Sequence, residues 1–240
     1  RNNPRLRIAD RDEFIKAKVE EHHYQPPYFR LMERLNLEGV NAAPRVMRPR
    51  LLGLEDLVDV REPLAYAAGH MQGAVCLPVG MIPAFAGWFI SEGDTIALIA
   101  SEEDELAQAM AHLVRIGLDN IVGGYVGVIP AAAQGKAMQS IAMIDTEEVA
   151  RRLAEDSEDW TLLDVRALDE RQQGSIDGSE HVYVGELNTR WKELDRDRHY
   201  TLMCASGMRA SVAAGWLASQ GFKHLDVYLG SMGAWANAQG

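Results

Sequence analysis

The fold is decided by Leu57-Val58-Asp59-Val60-Arg61, a five-residue pattern that returns 105 residues later as Leu162-Leu163-Asp164-Val165-Arg166. Each copy is a short apolar run that ends in the same Asp-Val-Arg. A short and nearly continuous apolar run is typical of a strand buried on both faces of a parallel sheet. We therefore predict two buried strands in equivalent positions of an internal repeat.

The repeat continues downstream of these two strands. Residues 95–99 and 200–203 are again strand-like, and each leads into a helical segment that ends at a glycine. The two glycines, Gly117 and Gly221, are 104 residues apart. Short strands that alternate with longer helices predict an α/β protein of two units, each an open parallel sheet flanked by helices.

The start of the chain differs from the repeat. Residues 11–21 are charged and helix-forming behind Asp10, a candidate N-cap, and residues 31–37 resume a helical period after Pro26-Pro27. We predict a short helical tail or linker over 1–46, a first unit over 47–138 and a second unit over 139–240.

The composition argues against several kinds of partner. In 240 residues, 35 acidic side chains against 24 basic ones give a net charge of -11, which works against binding to nucleic acid or to an anionic membrane. No apolar run approaches the ~20 residues that span a bilayer, and no apolar stretch follows the N-terminal arginines as in a signal peptide. We expect a cytoplasmic protein, and a chain that begins at Arg1 suggests a piece of a longer one.

The chain has two cysteines, Cys76 and Cys204, too few for a disulfide framework or a thiolate metal site. Its histidines are scattered along the sequence, so we expect no metal and no cofactor. Cys76 has apolar neighbours and no nearby cation, which predicts an inert core residue. Cys204 has a different environment and is the candidate working thiol.

The loop Cys204-Ala205-Ser206-Gly207-Met208-Arg209 joins a predicted strand to a predicted helix. Small residues and Gly207 allow successive backbone N–H groups to turn toward the sulfur, while the helix N-terminus and Arg209 add positive charge. Each contribution favours the thiolate, which is the attacking species, and the same loop could hold an anionic donor. A lone buried cysteine or a lone arginine is usually structural, but their combination in this loop indicates a reactive site.

Cys204, Gly207 and Arg209 fill the Cys-x-x-Gly-x-Arg pattern of the rhodanese family, which the sequence resembles over residues 47–240. Further support comes from Asp164-Val165-Arg166, from Glu170 and from the closing Leu229-Gly230-Ser231-Met232-Gly233-Ala234-Trp235, similar to the family's Gly-Gly-x-x-x-Trp turn. The sequence departs from the pattern at two positions. Ser175 stands where many members have a histidine, and Ser231 stands where a second glycine is usual.

The resemblance implies a sulfurtransferase of the rhodanese type. Its donor would be thiosulfate or a low-molecular-weight persulfide, and a persulfide on Cys204 would pass the sulfur to a thiol, cyanide or sulfite. The resemblance implies Cys204 as the catalytic residue and, as substrate-binding residues, Ala205, Ser206, Gly207, Met208 and Arg209. Asp164 and Arg166 would support the site structurally.

Two other functions stay open. The related dual-specificity phosphatases need a loop one residue longer than the six from Cys204 through Arg209, so phosphatase or arsenate reductase activity is the weaker enzyme hypothesis. A non-catalytic sulfur-carrier or interaction module belongs to a different class. In that case the first unit would serve as a docking surface, and the sulfur on Cys204 would go to a fused or separate enzyme.

In the first unit the matching loop is Ala100-Ser101-Glu102-Glu103-Asp104-Glu105, which has no thiol and carries four acidic residues. Ala100 matches Cys204, and Glu105 matches Arg209. Ser101 and Asp104 resemble a capping box, and acidic residues suit a first helical turn. We predict a rhodanese-like unit without activity.

The tail adds a shorter resemblance. A helix followed by Pro26-Pro27-Tyr28-Phe29, with Met32 and Asn36 ahead of Gly39, looks like the end of the metallo-β-lactamase-fold persulfide dioxygenases that are fused to rhodanese domains. No His-x-His-x-Asp-His metal motif occurs in the 240 residues. The resemblance implies a fused or separate metallo-β-lactamase-fold domain as a partner, and glutathione persulfide or thiosulfate as the donor.

Overall fold

The structure is a computed structural model, and it describes residues 7–21, 23–39, 56–155 and 157–239. The predicted end of the tail at 46 and the start of the first unit at 47 lie outside the described residues.

Two helices form the described part of the tail, α1 (Arg11–Val19) and α2 (Tyr28–Glu38). The predicted N-cap of α1 is confirmed, since the Asp10 carboxylate accepts the backbone N–H of Glu13 at 2.8 Å. Helix α1 buries none of its residues, whereas α2 buries Leu31. The tail therefore rests on the rest of the protein through α2 and the segment before it.

The first unit is built on a parallel sheet, as predicted. Its strands lie in the order β3-β1-β4-β5, with the bounds β1 (Asp56–Asp59), β3 (Val75–Cys76), β4 (Ile96–Ala100) and β5 (Ile121–Val126). The helices of this unit are α3 (Pro63–Ala68), α4 (Ile82–Phe89), α5 (Glu103–Arg115) and α6 (Ile129–Ala132).

The second unit has a five-stranded parallel sheet in the order β7-β11-β10-β8-β9. Its strands are β7 (Ala142–Ile144), β8 (Trp160–Asp164), β9 (Glu180–His181), β10 (His199–Met203) and β11 (Leu225–Tyr228). Its helices are α7 (Thr146–Glu155), α8 (Leu168–Gln172), α9 (Leu187–Arg190), α10 (Met208–Ser219) and α11 (Ser231–Gln239).

The strand orders confirm the predicted duplication. The order β3-β1-β4-β5 repeats as β9-β8-β10-β11, so the two Asp-Val-Arg strands, β1 and β8, occupy the same place in their sheets. The second sheet adds β7 beside β11. A small antiparallel pair, β2 (His70–Met71) with β6 (Met138–Gln139), ties the segment between the units back to the first unit.

The two units pack against each other through the helix that follows Cys204. Strand β3 lies against α10, where a Cβ atom built on Gly215 would come within 2.6 Å of the Cβ atom of Cys76. One buried apolar cluster includes residues of both units, among them Cys76 and Val212. The first unit thus supports α10, the helix that follows the Cys204 loop.

Candidate active site

Cys204 lies directly after β10 and before α10, and its side chain is buried with 1% of the residue exposed. Its Sγ atom accepts the backbone N–H of Gly207 at 3.1 Å. Gly207 has φ 107°, a left-handed conformation that a side chain disfavours, and this turn directs its N–H back to the sulfur. The geometry can stabilise negative charge on the sulfur at the start of a helix.

The rest of the predicted substrate-binding loop surrounds this thiol. Ala205 and Ser206 are exposed, while Met208 is partly buried at the first position of α10. The Ala205 carbonyl accepts the N–H of Gly233 at 2.9 Å, which ties the loop to the closing turn. Solvent therefore reaches the loop on the side of Ala205 and Ser206.

Arg209 makes a bidentate ion pair with Glu170 of α8. Its Nη1 and Nη2 atoms donate to the two carboxylate oxygens at 2.5 and 2.6 Å. The hydrogen bonds from Arg209 lower the pKa of Glu170, and the Glu170 carboxylate together with the nearby Cys204 raises the pKa of Arg209 against its partial burial. Glu170 also accepts the N–H of Ala167 at 3.1 Å. The two hydrogen bonds to one carboxylate thus fix the orientation of the guanidinium, whose charge interacts with that of Cys204.

Asp164 and Arg166 form a buried pair at the end of β8, next to the end of β10. Asp164 accepts from the backbone N–H of Arg166 at 3.0 Å and from its Nη2 at 2.7 Å. The same guanidinium donates to the carbonyl of Gly174 at 2.8 Å. Met203, the residue before Cys204, is the register partner of Asp164. The pair therefore holds the end of β8 in place beside the strand end that leads into Cys204.

Ser231 is a residue of the site that the sequence marked only as a departure from the family pattern. Its hydroxyl accepts the backbone N–H of Cys204 at 3.0 Å and donates to the carbonyl of Tyr228 at 2.8 Å. Ser231 has φ 48°, the left-handed region in which a glycine would be unstrained. Ser231 thus lacks the backbone freedom of a glycine at this position, but its hydroxyl makes a hydrogen bond to Cys204 that a glycine could not make.

Aromatic side chains near Arg209 were not identified from the sequence. Tyr24 of the tail stacks on Tyr183 with ring centroids 3.7 Å apart, and Trp88 of the first unit meets Tyr183 edge-on at 5.9 Å. Burial raises the pKa of the Tyr183 hydroxyl, while the charge of Arg209 acts in the opposite direction. Three parts of the chain thus meet on one side of the site, a juxtaposition that no local sequence pattern signals.

The matching loop of the first unit has a different internal bond from the predicted one. Helix α5 begins at Glu103 without a side-chain cap, so the Ser101–Asp104 capping box is wrong. The Glu105 carboxylate instead accepts the backbone N–H of Ser101. The predicted acidic first turn is confirmed by Glu103, Asp104 and Glu105. A carboxylate of the chain itself thus holds an N–H group of this loop.

Cys76 is fully buried, and this burial raises the pKa of its thiol well above the ordinary value.

Within the described ranges, no three metal-ligating side chains come together as a metal site. No helix in the part of the chain that the structure describes is long and apolar enough to cross a membrane.

Both units match one known protein family. Residues 47–130 and 145–238 match the family model described as a rhodanese-like domain. The chain belongs to the rhodanese family. Its two rhodanese-like domains correspond to the two repeats of the sheet order, so the tandem arrangement expected from the sequence is confirmed.

Two curated relatives and one solved structure each match about two fifths of the chain. The protein named "Putative sulfurtransferase YtwF" of Bacillus subtilis is 35% identical over 95 residues, 40% of this chain and 90% of that protein. A sulfurtransferase of Allochromatium vinosum is 34% identical over 93 residues, 39% of this chain and 86% of that one. A crystal structure of a rhodanese-related protein from Thermoplasma volcanium is 29% identical with a TM-score of 0.36, covering 40% of this chain and 91% of that one. The family and the relatives support sulfur transfer as the general activity.

Proposed function

We propose that the second unit is a rhodanese-type sulfurtransferase in which Cys204 carries the transferred sulfur. The observation that carries this proposal is the hydrogen bond from the Gly207 N–H to the Cys204 sulfur at the start of α10, beside the guanidinium of Arg209. A backbone donor, a helix N-terminus and a fixed cation favour an anionic sulfur in the same place.

The reaction has two steps, both of which balance without a further oxidant. The Cys204 thiolate attacks the outer sulfur of thiosulfate, a new S–S bond forms, and the old S–S bond breaks with its electron pair leaving on sulfite. The enzyme persulfide then gives its outer sulfur to a thiolate or to cyanide, and the Cys204 thiolate returns. With a low-molecular-weight persulfide as donor, the leaving group of the first step is a thiolate.

Each group of the site has a place in these steps. The Gly207 N–H lies where charge on the cysteine sulfur or its persulfide would need a donor, as in other anion-stabilising loops. Arg209 would orient the donor with the N–H groups that Glu170 does not use, since a guanidinium has five and the carboxylate takes one at each terminal nitrogen. Ala205 and Ser206 would line the exposed approach.

The first unit would take no part in the chemistry. Ala100 stands in place of the thiol and is buried, and Glu105 stands in place of the cation. Its part in the function would be to support α10 through β3.

The proposal is tested by replacing each cysteine in turn. We expect Cys204→Ser to reduce transfer from thiosulfate and from glutathione persulfide to background, and we expect mass spectrometry to find no added sulfur atom on the chain. Cys76→Ser is the matched control, because it changes the other buried thiol while leaving the loop intact. Undiminished turnover in Cys204→Ser would overturn the proposal.

The same experiment tests the sulfur-carrier alternative. A stable additional sulfur on Cys204 that cyanide and small thiols cannot discharge would favour a carrier that delivers to a fused or partner enzyme. The resemblance of the tail to persulfide dioxygenase fusions supports the proposal that this partner has a metallo-β-lactamase fold and that the natural donor is an organic persulfide. A higher kcat/KM with glutathione persulfide than with thiosulfate is the expected result.

A further inference from the structure

The tail touches the second unit at Tyr24, between α1 and α2. The Tyr24 hydroxyl accepts the backbone N–H of Leu168 at 3.3 Å, and its ring stacks on Tyr183 at 3.7 Å with 27° between the planes. Leu168 is the first residue of α8. A residue 144 positions away in sequence thus contacts the start of the helix that carries Glu170.

Helix α8 is short, and its start is connected directly to the ion pair. It has five residues, with Glu170 in its first turn. The Glu170 carboxylate accepts both the Ala167 N–H and the Arg209 guanidinium. Because Ala167 and Leu168 are adjacent, one hydrogen bond from the tail and one from Glu170 hold the same turn of backbone.

The stacked ring provides a second connection. Tyr183 is buried, and its hydroxyl lies within the electrostatic influence of both Arg209 and Glu170. Tyr24 lies against its ring face, and Trp88 of the first unit meets it edge-on. Residues from outside the second unit therefore pack around Tyr183, which lies within the electrostatic influence of the ion pair.

We infer that Tyr24 is a positioning residue for sulfur transfer, which holds the Glu170–Arg209 pair in the orientation that receives an anionic donor. This inference rests on the function proposed for Cys204. If Tyr24 is removed, α8 and Glu170 gain freedom that donor binding must then restrict, so binding weakens. The Gly207 N–H and the sulfur belong to the β10–α10 connection, and Arg209 keeps its charge in α10, so the rate of the chemical step changes little.

The tail offers a matched control in Tyr28. Its hydroxyl donates to the carbonyl of Pro83 at 3.2 Å, so Tyr28 ties the same tail to the first unit. Tyr24→Phe and Tyr28→Phe each remove one tyrosine hydroxyl from the tail, but only the first removes a bond to the second unit. Tyr24→Ala and Tyr28→Ala remove the rings as well.

The measurement is single-turnover formation of the Cys204 persulfide as a function of thiosulfate concentration. We expect Tyr24→Phe to raise the half-saturating concentration about threefold, as for the loss of one modest hydrogen bond. Tyr24→Ala should raise it about tenfold, because the stack is lost too. The limiting rate should stay within about twofold in both, and the Tyr28 variants should match the wild-type protein in both quantities.

Two results would overturn the inference. One is a half-saturating concentration unchanged in both Tyr24 variants, and the other is an equal rise in the Tyr24 and Tyr28 variants, which would mark a general effect of tail docking. Cys204→Ser in the same series separates the two proposals. Persulfide formation in that variant would remove the proposed function, whereas its absence together with unchanged Tyr24 variants would remove only the role of Tyr24.

Discussion

The Glu105 carboxylate accepts the backbone N–H of Ser101 in the first unit, at the positions that match Arg209 and Ala205 in the second. The chain thus places its own carboxylate in the loop that matches the proposed donor-binding loop of the second unit. The loop of the first unit differs from that of the second in three ways, namely the missing thiol, the reversed charge and the N–H group that already has a carboxylate acceptor. The missing thiol removes the nucleophile, while the reversed charge and the occupied N–H group both oppose the binding of another anion.

Restoring the thiol alone should therefore fail. We expect Ala100→Cys in a Cys204→Ser background to form no persulfide above that of Cys204→Ser, because Glu105 repels both a thiolate and an anionic donor. Mass spectrometry after exposure to thiosulfate checks this, with the wild-type protein as the positive control. A sulfur adduct on the introduced cysteine would show that the rhodanese fold suffices without the cation.

The strands and helices of the repeat could be predicted because the sequence patterns that indicate them are local. The apolar runs before Asp59 and Asp164 became β1 and β8, and the glycines at 117 and 221 end their helices with positive φ. The Cys204 loop lies between a strand and a helix as its sequence indicated. In each case a period, a turn residue or a motif of a few neighbouring residues carries the information.

The contacts that complete the site could not be predicted, because they join distant parts of the chain. Glu170 pairs with Arg209 across 39 positions, and Tyr24 reaches Leu168 across 144. Ser231 was visible only as a missing glycine, and its hydrogen bond to Cys204 depends on a left-handed backbone that a serine seldom adopts. Tertiary structure decides such contacts, and one sequence without its relatives contains no pattern for them.

The contact between the units should be sensitive to a single methyl group. We expect Gly215→Ala to lower the free energy of unfolding by about 1–3 kcal/mol, the usual result of overpacking. The new Cβ atom would lie 2.6 Å from the Cβ atom and 2.7 Å from the backbone nitrogen of Cys76. In a helix without such a contact, replacing glycine by alanine stabilises the protein by about 1 kcal/mol. A lower free energy of unfolding for Gly215→Ala would therefore report the close contact with Cys76 and not helix propensity.

Urea unfolding measures this change, and Gly80→Ala is its control. A Cβ atom on Gly80, in a 3₁₀ turn of the first unit, meets nothing within 4 Å, so this variant should unfold at or slightly above the wild-type midpoint. Equal stability of the two alanine variants would show that β3 and α10 can separate enough to admit a methyl group.

Both the hydroxyl and the backbone conformation of Ser231 should affect the free energy of unfolding. Ser231→Ala leaves the buried N–H of Cys204 without its acceptor, which we expect to lower the free energy of unfolding by about 1–3 kcal/mol. Ser231→Gly loses the same bond but relieves the strain at φ 48°, so it should be about 1 kcal/mol more stable than the alanine variant. Thermal or urea unfolding of the three proteins decides the order, and an alanine variant as stable as the glycine variant would contradict it.

The Glu170–Arg209 pair should make part of the stability depend on pH. Hydrogen bonds from Arg209 lower the pKa of Glu170 below its ordinary value of 4.5, so the ionised carboxylate stabilises the folded state. This contribution is complete above about pH 4.5, where the unfolded chain is also ionised, and it is lost as the pH falls through the lower folded value. We therefore expect Glu170→Gln to be less stable than the wild-type protein at neutral pH, with the difference shrinking as the solution becomes more acidic.

Urea midpoints of both proteins, measured from neutral pH down to about pH 3.5, check this dependence. Asp169→Asn removes an exposed carboxylate from the same turn of α8 and should show no such convergence, because the bidentate bond to Arg209 is intact in it. A wild-type advantage over Glu170→Gln that stays constant across the whole range would mean that the charge of Glu170 contributes nothing, and that its packing alone holds Arg209 beside Cys204.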